Sequence, residues 1–280
     1  MGDNCAFIND HSAMPSIHPS AILIGEIDLA DDVEIGPHCV LTGPITIGSG
    51  TKLMGNVYLY GPLTLAENNV IYPFVCLGFM PQHAQAEPDK PGKGVCIGSD
   101  NIFREHMTIH RAFTDDGPTT IGNRCLLMGT SHVGHDCQIS DDCTFANGVL
   151  LGGHVQVGEK TIIGGGTMVH QFCRIGKGTM LSGGVMLKQD LMPYFMLTGQ
   201  NIAGSINMIG LRRSGMSDED IEEIRWVYKV MYCKGLSPKF AVQEMKKRAD
   251  RPIIADYINF IEQSQRGCCP AHGRAALGND

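Results

Sequence analysis

A large apolar residue recurs at every sixth position over most of this chain, and this period restricts the possible folds more than any other feature. The series runs from Ile17 to Leu77, returns around Phe103, and resumes from Ile121 to Leu187. Neither the 3.6-residue period of a helix nor the two-residue alternation of a strand keeps such a phase. Three hexads, eighteen residues, would form one coil, and coils would stack through parallel strands about 4.8 Å apart. The sequence therefore predicts a mainly β protein built as a column of coils.

Two further rules describe the turns between the strands. A small or modest residue stands four positions after the apolar one, and glycine frequently follows the apolar residue directly, as in Ile35-Gly36 and Ile163-Gly164. We interpret each hexad as one short strand and one sharp turn, with glycine permitting a positive φ at the bend. This use of glycine accounts for its count of 35 in 280 residues, which exceeds the usual share of about 7%.

The cysteines fit the same pattern. Of 11 cysteines, five occupy the small position, where a thiol packs as a small apolar group. We therefore expect burial in the column rather than a metal cluster for Cys39, Cys125, Cys137, Cys143 and Cys173. The odd number of cysteines and their irregular spacing indicate reduced thiols in a cytoplasmic protein rather than a disulfide framework.

The hexads fail in two stretches and then stop. Residues 79–96 and 115–120 are expected to leave the column as loops, and long excursions from a rigid scaffold frequently carry binding residues. After Pro193 the pattern becomes helical, with helix starts at Ser217, at Ser237-Pro238 and at Pro252. The predicted organisation is a β-helix domain over 1–192, a C-terminal helical domain over 193–267 that caps the column, and a flexible tail over 268–280, where Cys268 and Cys269 have no expected role.

Composition excludes several classes of function. The net charge of −7 and pI near 5.8 lack the basic footprint of a general nucleic-acid binder. No apolar run approaches the roughly 18 residues that span a bilayer. The first residues, MGDNCAFINDHSAMP, lack the charged-then-apolar layout of a signal peptide.

Histidines mark a candidate site. Adding eighteen to His135 gives Gly153, beside His154, and adding eighteen again gives Gln171, beside His170. These residues should stack at one corner of three successive coils, each about 5 Å from the next. None of the histidines takes an inward hexad position, so a functional cluster is favoured over a packing role.

Two chemistries could use such a cluster. In the first, His135 acts as a general base supported by Asp136, and a glycine-rich turn one coil away offers backbone N–H groups to an oxyanion. In the second, three histidines hold a zinc ion that polarises water. The three-residue spacing of His132 and His135 differs from the wider spacing of hexapeptide-repeat carbonic anhydrases, which makes the zinc site the weaker hypothesis.

At these residues the chain resembles the UDP-N-acetylglucosamine O-acyltransferase family, which catalyses the first step of lipid A synthesis. The resemblance extends from about residue 15 to 267 and implies a left-handed parallel β-helix that assembles as a homotrimer, with active sites between adjacent columns. It also implies transfer of a 3-hydroxyacyl chain from acyl carrier protein to the sugar 3-hydroxyl, with no metal or other cofactor. The motifs are IFREHMTIHR (102–111), LLMGTSHVGHDC (126–137), FANGVLLGGHVQV (145–157), MVHQFCRIG (168–176) and GLRRSG (210–215).

The resemblance assigns roles to individual residues. His135 would be the general base, Asp136 its supporting carboxylate, and the Gly153 N–H the oxyanion donor. Gly183 falls where the family sets acyl-chain length. The resemblance places in the substrate cleft His110, His132, His154, His170 and Gln171, and at the nucleotide Asn207 and Arg213. For the acidic carrier protein, basic candidates are Arg212, Arg213 and Lys188.

Some positions depart from the family pattern. His83 and Gln85 stand in the first loop where the family has an Asp and a Lys, and Ile209 and Ser214 replace an acidic residue and an arginine. These departures keep open a related acyltransferase that acts on another nucleotide sugar, such as a 3-amino sugar. A zinc hydratase and a non-catalytic scaffold are further alternatives.

Overall fold

Short strands follow one another along the chain, and each pairs in parallel with the strand one coil later. Ser16 pairs with Glu34 and Glu34 with Lys52, which is the predicted eighteen-residue step. The computed structural model describes residues 14–87, 90 and 92–271. Within these ranges the strands form three sheets, A, B and C, one on each side of the column. The predicted parallel β-helix with helices after it is confirmed.

Strands are numbered in chain order, and every coil runs from sheet A through sheet B to sheet C. In the described part of the chain, sheet A consists of β1 (Ser16–Ile17), β4 (Glu34–Ile35), β7 (Lys52–Leu53), β10 (Val70–Ile71), β13 (Ile102–Phe103), β16 (Leu126–Leu127), β19 (Thr144–Phe145), β22 (Ile162–Ile163), β25 (Met180–Leu181), β27 (Phe195–Gly199) and β28 (Ile202–Ile206). Sheet B consists of β2 (Ile22–Ile24), β5 (Val40–Thr42), β8 (Tyr58–Tyr60), β11 (Cys76–Phe79), β14 (Thr108–His110), β17 (His132–Val133), β20 (Leu150–Leu151), β23 (Met168–Val169) and β26 (Met186–Leu187). Sheet C consists of β3 (Ile27–Leu29), β6 (Ile45–Ile47), β9 (Leu63–Leu65), β12 (Val95–Ile97), β15 (Thr119–Ile121), β18 (Gln138–Ile139), β21 (Gln156–Val157) and β24 (Arg174–Ile175).

The apolar residues of the hexads form the core of the column. From Ile35 to Leu187 they are buried, with exposed fractions of at most a few per cent. The first coil is an exception, because Ile17 and Leu23 are 42% and 36% exposed and Leu29 is half-buried. No described coil covers this end, so the inward direction alone does not bury a side chain there.

Most glycines that follow the apolar residues do not have the predicted positive φ; Gly78, which follows Leu77, does. Gly36 and Gly164 have ordinary φ values, and a Cβ on Gly36 would lie 2.5 Å from the Met54 carbonyl oxygen of the next coil. The positive φ values occur two positions later, for example at His38 and Gly166. These glycines therefore permit close approach of adjacent coils rather than a special dihedral, and our expectation for them was wrong.

The small inward positions hold the five cysteines as predicted, all at most 1% exposed. The same column of positions also contains two asparagines that the small-residue rule did not predict. The Asn101 amide nitrogen donates to Asn69 Oδ1 and to the Gly122 carbonyl, both at 3.0 Å, and its oxygen accepts from the Cys125 N–H at 2.8 Å. These bonds lie at the corner between sheets C and A, and they connect successive coils that the excursions separate in sequence.

Both excursions leave the column at the same corner. We call the turns that join sheet B to sheet C the B–C corner; 134–137 is one of them. The first excursion lies between Phe79 and Val95 and the second between His110 and Thr119, on successive coils. The second spans 111–118 rather than the predicted 115–120, because Thr119 and Thr120 already belong to β15. The next turn of the same corner carries His135, so both excursions lie on one side of it.

The C-terminal part begins with a hairpin rather than a helix. Strands β27 and β28 pair antiparallel within the predicted helical region, which therefore contains sheet as well. A short helix, α1 (Met208–Arg213), was not predicted. It is followed by α2 (Asp218–Tyr228), a short π-helix (Lys229–Cys233), α3 (Pro238–Lys246) and α4 (Pro252–Glu262).

The helices begin at the predicted residues and pack on the last coils. Ser217 Oγ accepts from the Asp220 N–H at 3.1 Å, and Pro238 and Pro252 open α3 and α4. The Tyr257 hydroxyl donates to the Pro193 carbonyl at 2.7 Å. No described helix is long and apolar enough to cross a membrane.

The start of the predicted tail packs against the column. Cys269 is 1% exposed, and its N–H donates to the Asp190 carbonyl at 2.8 Å. The Ala203 N–H donates to the Pro270 carbonyl at 2.9 Å. The expectation of a flexible tail without a role for Cys268 and Cys269 was therefore wrong for 268–271; residues 272–280, and residues 1–13 of the first domain, lie outside the described residues.

Candidate active site

The B–C corner places the predicted residues on successive coils. The His154 N–H donates to the His135 carbonyl at 2.9 Å, and the Phe172 N–H donates to the Gly153 carbonyl at 3.0 Å. His135, Gly153 and Gln171 therefore occupy equivalent positions one coil apart. Asp136 and His154 both have φ near 60°, which turns the chain sharply and sets the direction of their side chains.

His135 and Asp136 form a buried pair. Nδ1 of His135 lies 2.5 Å from Oδ2 of Asp136, and each residue is 8% exposed. The carboxylate also accepts from the Phe113 N–H at 3.1 Å, the Thr114 N–H at 3.0 Å and the Thr114 hydroxyl at 2.9 Å. Burial alone would raise the pKa of the Asp136 carboxyl, but these bonds from His135, Thr114 and Phe113 hold its pKa well below the usual range. The ionised carboxylate assigns the proton to Nδ1, which leaves the lone pair on Nε2 of His135.

His154 approaches the same carboxylate from the next coil. Its Nε2 lies 3.5 Å from Oδ2 of Asp136, and its ring is perpendicular to that of His135 with centroids 5.2 Å apart. It stacks on Phe172 at 4.5 Å. Burial lowers the pKa of His154, and the opposing attraction of Asp136 does not reverse this shift. His154 is therefore mainly neutral near pH 7.

A second histidine pair lies on the outer face of sheet B. The rings of His110 and His132 are 5.3 Å apart. His110 Nδ1 donates to the Met80 carbonyl at 2.6 Å, and His132 Nδ1 lies 2.9 Å from the Thr108 hydroxyl. Burial, reinforced by the nearby His110 and His135, lowers the pKa of His132 to about 4, and burial also lowers the pKa of His110. Neutral imidazoles thus surround the candidate base.

Gly153 lies directly against the ring of His135. A Cβ at this position would lie 2.5 Å from Cε1 and 2.7 Å from Nε2 of His135. The Gly153 N–H donates to no other residue that the structure describes. Glycine is therefore required by close approach, and a free backbone donor lies beside the candidate base.

The remaining predicted site residues do not come together within a single chain. His170 is exposed after β23, with Nδ1 donating to the Gln171 carbonyl at 3.0 Å. Gly183 lies on the turn between β25 and β26, which joins sheet A to sheet B. Asn207 donates to the Gly178 carbonyl at 3.0 Å on the corner between sheets C and A, and Arg213 is exposed in α1. A single column presents these residues on three different corners.

Two of the residues that depart from the family pattern, Gln85 and Ser214, make local contacts. Gln85 donates its N–H to His83 Nδ1 at 3.2 Å, and Ser214 donates to the Leu211 carbonyl at the end of α1. Ile209 is 66% exposed, and Asn207 caps α1 by accepting from the Gly210 N–H at 3.0 Å. The structure thus gives Asn207 a structural contact that the resemblance did not predict.

The sequence did not identify the residues that support Asp136 from the second excursion. Phe113 and Thr114 donate to its carboxylate, and Thr119 Oγ1 accepts from its N–H at 2.9 Å. His83 from the first excursion stacks on Phe113 at 4.1 Å. The only sequence feature that pointed to these residues was the interruption of the repeat one and two coils before His135. It locates loops at this corner but does not indicate which of their side chains contact Asp136.

One group of described residues has donor atoms close enough to hold a metal ion. Atoms of His135, Asp136 and His154 lie within 4.8 Å of one another. This set differs from the three-histidine zinc site that we considered, and it includes Nδ1 of His135 and Oδ2 of Asp136 only if their mutual hydrogen bond breaks. The geometry of the pair fits proton transfer better than metal ligation.

Because His132 is buried in its neutral form, we expect the folded protein to lose stability in acid. A histidine whose pKa in the folded protein lies below its ordinary 6.5 binds fewer protons in the folded state than in the unfolded state. The free energy of unfolding therefore decreases as the pH falls. For His132 this decrease lies between about pH 6.5 and 4. In urea titrations over this range, His132→Gln should lose less stability than the wild type. Parallel curves for the two proteins would contradict the burial effect.

We expect Gly153→Ala to lower the turnover number without unfolding the protein. The new methyl group must displace the His135 ring, and a shift of about 1 Å costs on the order of 100-fold in turnover. The matched control is Gly117→Ala in the second excursion, where a Cβ meets no atom within 4 Å. The measurement is the turnover number of each variant, with the melting temperature as a check that the variant is folded. Equal turnover numbers for Gly153→Ala and Gly117→Ala would show that His135 has no fixed position.

Family models, curated relatives and solved structures that resemble this chain all point to the same family. The family described as Udp N-acetylglucosamine O-acyltransferase, domain 2, matches residues 190–269, and the bacterial transferase hexapeptide family matches 118–153. Acyl-[acyl-carrier-protein]–UDP-N-acetylglucosamine O-acyltransferases of Thermodesulfovibrio yellowstonii and Akkermansia muciniphila are 37% and 42% identical to the chain, each over 91% of it and 100% of the relative. The crystal structure of the Francisella novicida UDP-N-acetylglucosamine acyltransferase superposes with a TM-score of 0.89 at 33% identity, covering 94% of this chain and 100% of that one.

Proposed function

This chain belongs to the acyl-[acyl-carrier-protein]–UDP-N-acetylglucosamine O-acyltransferase family, and we propose that His135 is the general base of its reaction. The enzyme transfers an acyl group from acyl carrier protein to UDP-N-acetylglucosamine, in the lipid A pathway. The relatives' names favour this acceptor over a 3-amino sugar. The observation that supports the role of His135 is its 2.5 Å contact with the ionised Asp136, beside the free N–H of Gly153.

The proposed mechanism needs three groups. His135 Nε2 removes the proton of the sugar 3-hydroxyl while its oxygen attacks the thioester carbonyl of the 3-hydroxyacyl donor. Asp136 stabilises the resulting imidazolium, and the Gly153 N–H stabilises the oxyanion of the tetrahedral intermediate. The intermediate collapses by breaking the carbon–sulfur bond, and the departing carrier thiolate takes the proton from His135. The products are the O-acylated sugar nucleotide and the free thiol of acyl carrier protein, and no metal or other cofactor is needed.

Neutral histidines suit a cleft for polar, uncharged groups. A neutral imidazole has one donor and one acceptor nitrogen, so His110 and His132, whose Nδ1 atoms are engaged within the protein, can each still present Nε2 to a sugar hydroxyl. Burial keeps His110, His132 and His154 in that form. We assign these three, with the exposed His170 and Gln171, to the substrate cleft.

Two faces of the column support a homotrimer. Sheet C points polar side chains outward on most of its strands, whereas sheets A and B expose apolar ones on their later strands. Packing of three columns around an axis would cover two faces of each and leave the third in solvent. The polar outward residues of sheet C include Thr46, Thr64, Thr120, Gln138, Gln156 and Arg174. The apolar residues, 36–44% exposed, are Ile102, Ile162 and Met180 on sheet A and Leu150 and Met168 on sheet B.

Such an assembly would also complete the site. Gly183, Asn207 and Arg213 lie away from the B–C corner of their own chain. A neighbouring column can present one of its other corners to His135. In this arrangement Asn207 and Arg213 bind the nucleotide, and Gly183 leaves room for the acyl chain, at a site shared by two chains. The basic residues Arg212, Arg213 and Lys188 are the candidate docking residues for the acidic carrier protein, which we expect the enzyme to meet in the cytoplasm.

Removal of the base tests the proposed function directly. His135→Ala should lower the turnover number by about 1,000-fold, because general-base catalysis contributes 10²–10⁴-fold. The assay follows acylation of UDP-N-acetylglucosamine by 3-hydroxyacyl carrier proteins of several chain lengths. Gln156→Ala, an exposed change on sheet C, is the control. Near-normal turnover by His135→Ala would remove it as the base, and metal-dependent hydration of carbon dioxide without acyl transfer would favour the zinc alternative.

A further inference from the structure

His83 brings a second imidazole to the candidate base. It belongs to the first excursion and is exposed. Its ring stacks on Phe113 with centroids 4.1 Å apart and an angle of 27°, and it lies edge-on to His135 at 5.6 Å and 86°. Phe113 in turn lies 5.8 Å from His135. Three rings from three separate segments therefore meet at the same point.

The stack is fixed to the catalytic pair through the backbone. The Phe113 N–H donates to both carboxylate oxygens of Asp136 at 3.1 Å, and Thr114 adds two more bonds. Asp136 thus holds the second excursion against the corner, and the Phe113 ring provides the surface on which His83 rests. The position of His83 is coupled to the position of the base.

The local hydrogen bonds assign the tautomer of His83. Its Nδ1 accepts from the Gln85 N–H at 3.2 Å within the tight turn where the Ala86 N–H donates to the His83 carbonyl. The neutral ring therefore carries its proton on Nε2. His135 has the opposite arrangement, with the proton on Nδ1 and the lone pair on Nε2. A hydrogen-bond donor and a base consequently stand side by side.

The side from which His83 approaches indicates which substrate it contacts. Gly153, the oxyanion donor in the proposed mechanism, lies on the coil after His135, whereas both excursions leave from the two coils before it. The thioester carbonyl belongs next to Gly153. The opposite side of the His135 ring is left for the molecule that carries the hydroxyl group.

We propose that His83 is a substrate-contacting residue whose Nε2–H donates a hydrogen bond to an oxygen of the acceptor sugar and orients the hydroxyl toward His135. This proposal rests on the proposed function. The ligand class is a hydroxylated sugar of a nucleotide sugar, and the carrier-bound acyl chain makes no bond with His83. The Phe113 ring and the Asp136 carboxylate determine where His83 stands.

Steady-state kinetics of single variants test the proposal. His83→Ala should raise the KM for UDP-N-acetylglucosamine about 3- to 10-fold, the range for one net hydrogen bond, and leave the KM for the acyl carrier protein within about twofold. His83→Gln places an amide N–H near the position of Nε2 and should recover most of the loss. Phe113→Ala removes the stacking surface and should shift the same KM in the same direction. Melting temperatures separate these effects from unfolding.

A control in the same loop separates a local role from a general disturbance. Glu87→Gln removes an exposed ion pair with Lys90 and touches neither His83 nor Phe113, so both KM values should stay unchanged. The proposal is overturned if His83→Ala matches the wild type, if it raises both KM values equally, or if His83→Gln recovers nothing. Absence of acylation by the wild-type protein would instead reject the proposed function, so the two failures are distinguishable.

Discussion

Stacking of each coil on the next at an eighteen-residue step is the constraint on which the rest of the structure depends. The step places every sixth residue inside the column and sets equivalent turns one above another. His135, Gly153 and Gln171 are brought together because parallel strand pairing repeats this step, and no separate loop has to position them. A rigid corner of this kind holds the proposed base and the proposed oxyanion donor at fixed separation before any substrate binds.

The two interruptions of the repeat give the corner its asymmetry. Each replaces a turn of the B–C corner on one of the two coils before His135, and the coils still pair across the gaps. Asn69 and Asn101 make the inner hydrogen bonds that connect these coils. The excursions thus carry Phe113 and His83 outward and back to the His135–Asp136 pair, while the coils after His135 remain uninterrupted and present Gly153 and His154.

Much of the fold could be predicted from the sequence because an apolar residue faces the core at every sixth position within each uninterrupted stretch of the repeat. The helix starts at Ser217, Pro238 and Pro252 were predictable for a similar local reason, since capping depends on adjacent residues. The site was predictable only where the period itself placed the residues, as for His135 and Gly153. The contacts of Phe113 and His83 depend on the path of irregular loops, and the packing of Cys269 depends on a return of the chain to the column. The six-residue period contains no information on the path of these loops or on the return of the chain near Cys269. The reason for the glycines was also misjudged, because the distance between coils cannot be read from one coil.

The most direct measurement of a site shared between columns is complementation between two defective chains. His135→Ala and Arg213→Ala each damage a different side of the proposed site. If the chain assembles as the proposed homotrimer, a 1:1 mixture that is refolded or co-expressed forms mixed trimers. If one site takes His135 from one chain and Arg213 from its neighbour, about one quarter of the sites in random trimers are intact. Acylation of UDP-N-acetylglucosamine, at a concentration below the wild-type KM, should then rise to about one quarter of the wild-type rate. A rate no higher than the average of the two single variants would contradict the account and place the whole site in one chain.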